Sequence, residues 1–192
     1  MDSYRTALFL HIVSLMIGIS AGATLLACLL HLRAAKTLEQ AAPWGALAGT
    51  VEKLFPVAIV GLFATGAYMT HKVWTFGTGW ILVSIVGLAV IAVQGPLVGG
   101  RTAKQLKAAL FANGPGELGE AARRMTRHPG LWVTEFANLG TVFAIIWNMT
   151  QKPGTFEAIV ALVIGYGGGT ALAFRFTRSP APRAESAVQA AG

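Results

Sequence analysis

His11 stands inside LFLHIVSLMIGISAGATLL, residues 8–26, where every other residue is apolar or small. An imidazole in hydrocarbon is costly unless it has a partner or a task. His71 closes a second apolar run on what reads as the same side of the membrane. A histidine pair at similar depth can ligate one haem b or one metal ion. Measured from Tyr4 and Trp74, the two differ by about four residues of depth, roughly 6 Å at the helical rise. In the plainer alternative, His11 hydrogen-bonds Ser14 or a neighbouring helix, and His71 is a solvated interface residue. Glu135 is the second candidate: with Asn138, Gln94 and Glu52 it can relay protons or bind a cation. Its plainer alternative is a carboxylate accommodated by burial or paired with Arg101 or Arg127. His31 and His128 lie beside arginines and read as interfacial and structural. Catalytic residues stay unassigned, because no Ser-His-Asp arrangement, zinc-protease helix or phosphate-binding loop occurs. The lone Cys28 excludes an intramolecular disulfide and any cysteine-cluster metal site.

Residues of these types need a scaffold that carries them into lipid. Of the 192 residues, 54% are hydrophobic and only 12% charged, about half the charge of a soluble domain. The apolar residues fall into five runs long enough to cross a bilayer as helices: Arg5–Leu30, Leu54–Val73, Gly79–Gly99, Leu131–Met149 and Phe156–Phe174. The expected fold is therefore an all-α polytopic bundle over residues 1–178, four core helices with a peripheral fifth. The first run is read as an uncleaved span. Residues 179–192, SPAPRAESAVQAAG, are Pro/Ala/Ser-rich and are expected to form a disordered cytoplasmic tail.

Twelve of the fifteen Lys and Arg residues fall in the first loop, the third loop and the C-terminal tail; Arg5, Lys72 and Lys152 hold the other side. That asymmetry predicts the N-terminus outside and the C-terminus in the cytoplasm, with Tyr4, Trp74, Trp80 and Trp147 as an outer aromatic belt. The formal charge of +7 is thus not a nucleic-acid footprint. Its expected partner is the anionic lipid headgroup. In the third loop, RTAKQLKAALFA is helical in pattern, with Leu106 and Leu110 expected to lie on the membrane while Arg101, Lys104 and Lys107 reach headgroups.

Helices associate in lipid where small residues let backbones approach. His11, Ser14, Gly18 and Gly22 share one stripe of the first span, so His11 is expected to point into protein, beside Ser84 or Tyr68. Ala161, Gly165, Gly169 and Ala173 form a stronger stripe on the fifth, facing a helix of the same chain or of a second copy. A faint repeat pairs VEKLFP…YMTHK with TEFANL…NMTQK, each running from a glutamate to Met-Thr-polar-Lys. A duplicated hairpin and convergent membrane-edge composition both account for it.

GWILVSIVGLAVIAVQGPLVGGR and IIWNMTQKPG, with LHIV in the first span, resemble a family of bacterial integral membrane proteins of unknown function. The ending Met149 to Gly154 is the most specific part, and the likeness reaches to Arg178. It implies a bacterial inner-membrane location and no activity. A more distant likeness is to the haem-biosynthetic membrane protoporphyrinogen oxidases and the copper-resistance D proteins, through His11, His31, Glu52–Lys53 and Gly79–Trp80. The oxidase pattern has a lysine shortly after Gly-Trp, where this chain has Ser84 or a neighbour. The likeness therefore implies haem binding through the matched histidine rather than the oxidase reaction. A haem-dependent redox enzyme and a small transporter or ion-handling protein remain the alternatives.

Overall fold

The structure is a computed structural model that describes residues 3–112 and 114–178. The expected disordered tail lies outside these residues. The helices are α1 (Ser3–Ala34), α2 (Leu38–Val51), α3 (Leu54–Val73), α4 (Gly79–Gln94), α5 (Arg101–Phe111), α6 (Glu120–Met125), α7 (Pro129–Gln151) and α8 (Thr155–Arg178), with a π-helical turn at Gly95–Gly100 between α4 and α5. Five continuous stretches are long and apolar enough to span a membrane: Ser3–Ala34, Leu38–Val73, Gly79–Phe111, Glu120–Gln151 and Thr155–Arg178. Among the described residues there is no strand beyond the isolated bridge Thr37–Glu117. The architecture is an all-α membrane bundle.

Each expected span is present, and several run further. Two breaks in the long stretches follow from proline chemistry. Pro56 has no N–H to return to the Glu52 carbonyl, and the helix slackens there, with Phe55 N donating to Glu52 O at 3.3 Å. Pro96 likewise sits in the π-helical turn GPLVGG. Both breaks leave the helix continuous enough that α2 and α5 extend the second and third spans.

Two kinds of surface result. Mid-bundle, large apolar side chains face outward: Met16 is 62% exposed, Val60 67% and Ile164 67%. At the basic end the large apolar residues turn inward instead. Leu29 and Leu32 of α1, Ala41 of α2, Leu106 and Leu110 of α5, Leu118, Ala122 of α6, and Leu131 and Trp132 of α7 form one buried cluster. At 1.5 Å per residue, the 32-residue α1 is roughly 48 Å long and overshoots a core of about 30 Å, so its end needs a protein-made apolar environment. This corrects the expectation for the third loop: Leu106 and Leu110 pack inside this cluster, while Arg101, Lys104 and Lys107 are exposed. Lys36 O accepts from Leu118 N at 2.9 Å and Gly116 O from Leu38 N at 2.9 Å, clamping the first loop to the third.

At the opposite end, Trp74 and Trp80 meet edge to face at 5.4 Å, and the Lys152 ammonium lies 5.1 Å over Trp74. Trp80 is only 8% exposed, so it is a core residue rather than a member of a lipid-facing belt. Lys152 ends α7 in the left-handed region (φ 50°), and the chain reverses at once into α8. The resulting α7–α8 hairpin is tightly packed. A Cβ on Gly140 or Gly165 would run into the carbonyl of the other, and one on Gly169 would lie 2.9 Å from Ala137 Cα. Ala158 and Ala173 are fully buried. The fifth-span stripe thus faces α7 of the same chain, and α8 packs on α4 as well: a Cβ on Gly87 would lie 2.9 Å from Leu162 Cδ1. It is an integral wall of the bundle rather than peripheral.

Candidate polar sites inside the bundle

One face of α1 meets α3. Without a Cβ on Gly61, Ser14 fits against the α3 backbone, and the Gly18 position looks onto Ala58, with 3.4 Å from its Cβ to Ala58 Cβ. Ser14 itself donates to Leu10 O at 2.8 Å, within its own helix. His11 lies one turn earlier on this face, half-buried, its Cε1 3.4 Å from where a Gly66 Cβ would be. Its Nδ1 is 2.9 Å from Thr65 Oγ1. The partner is thus a hydroxyl of the second span, but neither Ser84 nor Tyr68. Ser84 donates to Trp80 O at 2.7 Å, and Tyr68 is exposed near Lys72.

The Thr65 bonds decide the His11 tautomer. A threonine hydroxyl has one proton. Thr65 directs it to Gly61 O at 2.6 Å, with Leu62 O at 3.4 Å as its other backbone acceptor. Thr65 Oγ1 is therefore the acceptor toward His11, and His11 Nδ1 carries the hydrogen. A neutral imidazole protonated at Nδ1 presents its lone pair at Nε2. His71, by contrast, is exposed in the last turn of α3, six residues or roughly 9 Å beyond Thr65.

Glu135 lies deeper, toward the basic end. Its Oε1 is 3.9 Å from the Cβ position of Gly22, which places the carboxylate against α1. Glu52, at the break between α2 and α3, is its electrostatic neighbour. These are the two glutamates of the faint sequence repeat. Asn138, one turn along α7, has a buried Oδ1 with no hydrogen-bond partner. Gln94 does not join them: its Oε1 accepts from Tyr166 of α8 at 3.0 Å. The remaining histidines are occupied locally. His31 stacks on Trp44 at 3.8 Å with nearly parallel rings, and His128 caps α7 by accepting from Gly130 N at 3.1 Å. Two apolar surface grooves, one of about 570 Å³ along α7–α8 and one of about 470 Å³ along the outer face of α4, belong to the lipid-facing surface and not to either polar site.

Sequence reasoning missed Thr65 and Tyr166. Thr65 had a signal: it follows Gly61 by four residues, so the two share the face that also receives Ser14. Tyr166 had none, because an aromatic residue in an apolar run does not announce a polar partner.

A family described as predicted integral membrane protein, DUF2269, matches residues 5–153. The chain belongs to this family. No curated protein and no solved structure matches it. The DUF2269 match runs from Arg5 in α1 through α7, and includes His11, Thr65, His71, Glu52, Glu135 and Asn138; α8 lies beyond it.

Proposed function

We propose that this DUF2269 protein holds a haem, haem b in type, through His11 Nε2. The observation that carries the reading is the Thr65 hydrogen bond, which keeps the hydrogen on Nδ1 and leaves Nε2 as a donor to iron. Histidine ligands are commonly oriented in this way by an acceptor on the other ring nitrogen. His11 would hold the group, and His71, exposed and further along α3, is the candidate for a second contact. A bound haem would supply one-electron or ligand-binding chemistry. The chain supplies the nitrogen, its orientation and a lipid-shielded setting. The test is the visible spectrum of protein purified with haem supplied. A Soret band that His11→Ala abolishes and His31→Ala leaves intact supports the proposal. No band in the parent, or one indifferent to His11, ends it.

A second reading, ion handling, draws on a different observation: a buried unpartnered amide oxygen on Asn138 beside the Glu135–Glu52 neighbours. Carboxylate and amide oxygens are the donors that protons and hard cations prefer. Proteoliposomes carrying the parent chain should pass protons or alkali cations, and Glu135→Gln should not. Equal flux through both would remove the reading.

The membrane is assigned as a bacterial inner membrane, with the basic end in the cytoplasm and its exposed Arg and Lys side chains among anionic headgroups. The lysine and arginine asymmetry and the exposure of Arg101, Lys104 and Lys107 support this.

A further inference from the structure

Thr134, Asn138, Thr141, Ile145 and Asn148 recur along α7 at steps of four and three, so they share one face. Two of them show what that face meets. A Cβ on Gly99, in the π-helical turn, would lie 3.0 Å from Thr134 Cγ2, and one on Gly87 of α4 would lie 3.1 Å from Ile145 Cδ1. The face therefore packs on α4 and its π-helical extension. These two pairings run antiparallel, which sets Asn148 near the level of Ser84 and Asn138 near that of Gln94. Asn148 is fully buried; its Nδ2 donates to Ala158 O of α8 at 3.4 Å, but its Oδ1 has no hydrogen-bond partner. Asn138 Oδ1 is likewise buried and unpartnered. The neighbouring hydroxyls cannot supply the missing donors. Each has one proton, and each spends it on its own helix: Ser84 on Trp80 O at 2.7 Å, Thr134 on Gly130 O at 2.7 Å and Thr141 on Ala137 O at 2.8 Å. Gln94 is engaged with Tyr166 of α8. Buried polar atoms in folded proteins are almost always satisfied, and where protein groups do not do it, internal water does.

We propose that the seam between α4 and α7 binds internal water, one molecule donating to Asn148 Oδ1 and another to Asn138 Oδ1. Water brings the hydrogen that the seam's hydroxyls have spent, and its second hydrogen can go to one of their free lone pairs. The groups at the Asn148 level, Ser84 and Ala158, are neutral, which favours a neutral occupant over a cation. At Asn138 the inference also deepens the ion-handling reading and, for that part, rests on it. Glu135 lies three residues earlier on α7, a neighbouring position on the helix surface. A proton reaching this water passes to the carboxylate, and the carboxylate returns it the same way.

The test is an experimental structure of the full chain in lipid nanodiscs, resolved well enough to show ordered water, in a buffer whose cation is choline. Density at about 2.5–3.0 Å from both Oδ1 atoms supports the proposal. A protein donor at either oxygen, such as Gln94 Nε2 at Asn138, or no density at all, overturns that site. Density that appears only when sodium or potassium is added assigns a cation and overturns water. Proton flux in proteoliposomes tests the link to Glu135 separately. Asn138→Leu should lower it about ten-fold, the scale of one hydrogen bond to a charged group. Asn148→Leu lies ten residues or roughly 15 Å further along α7 and should change it less than about two-fold. Both variants are compared at unchanged circular dichroism. Unchanged flux in Asn138→Leu, or equal losses in both variants, would overturn the water's part in proton delivery. No flux in the parent would remove the ion-handling reading, while the density still decides the two water sites.

Discussion

Replacing Gly169 with alanine adds one methyl group at a close backbone approach between α7 and α8. That methyl would lie 2.7 Å from the Phe136 carbonyl carbon and 2.9 Å from Ala137 Cα, against 3.4–4 Å for ordinary contact. The obstruction is backbone, so no side-chain rotation relieves it, and the helices must separate by something on the order of 0.5–1 Å. Overpacking of this kind costs about 1–3 kcal/mol. Gly165→Ala meets Ala144 Cβ and the Gly140 carbonyl carbon, each at 3.0 Å, and should fall in the same range. Gly167 and Gly168 provide the control, because a Cβ at either meets nothing within 4 Å. Alanine there should be neutral or stabilising by about 0.5–1 kcal/mol, from helix propensity alone. Thermal unfolding in detergent reads the difference. On a scale of about 2–4 °C per kcal/mol for a chain of this size, Gly169→Ala and Gly165→Ala should unfold several degrees below Gly168→Ala. Gly140→Ala combined with Gly165→Ala should be non-additive, since each methyl meets the other's carbonyl and one separation relieves both. Four single variants unfolding together would refute this packing.

Thr65→Val should leave His11 in place but release its ring orientation, so that any haem is held more weakly by about ten-fold while the Soret band persists at saturating haem. If Thr65→Val behaves as the parent, the tautomer argument fails even where His11→Ala loses the band. Reporter fusions after Lys152 and after Arg178 should report opposite faces, the latter cytoplasmic; the same face for both would contradict the five-span arrangement.

The spans were legible because hydropathy is a property of the segment itself: the second apolar run, Leu54–Val73, coincides with α3. What lay between them was not. α2 occupies a stretch read as loop, although Thr37 accepts from Gln40 N at its start, a capping signature visible in TLEQ. In α5 the pattern defined an apolar face at Leu106 and Leu110 but not what would cover it. Amphipathicity is the same for a helix on a bilayer and for one on a protein core. The partner depends on α1 overshooting the membrane, which only the full helix length reveals. Pairings between helices, such as Gln94 with Tyr166, depend on rotation about each axis, which hydropathy does not carry.

The α1 stripe shows how far such reasoning reaches. His11, Ser14 and Gly18 lie on one face and meet α3, but Gly22, next on the same face, looks toward Glu135 of α7. Eleven residues separate His11 from Gly22, a rotation of about 20° and a rise of roughly 16 Å. One face of one helix therefore meets two polar sites, with Gly66 of α3 beside the imidazole and Gly22 beside the carboxylate. The separation exceeds the range of about 7–10 Å over which substitutions usually couple. Between them stand Ser14, bonded back to its own helix, and Gly18, which has no side chain to relay a proton. Among the described residues, the hydrogen bonds along this face do not join histidine to glutamate, so the haem proposed at His11 and the proton or cation proposed at Glu135 are separable readings. Loss of one in a variant should leave the other intact.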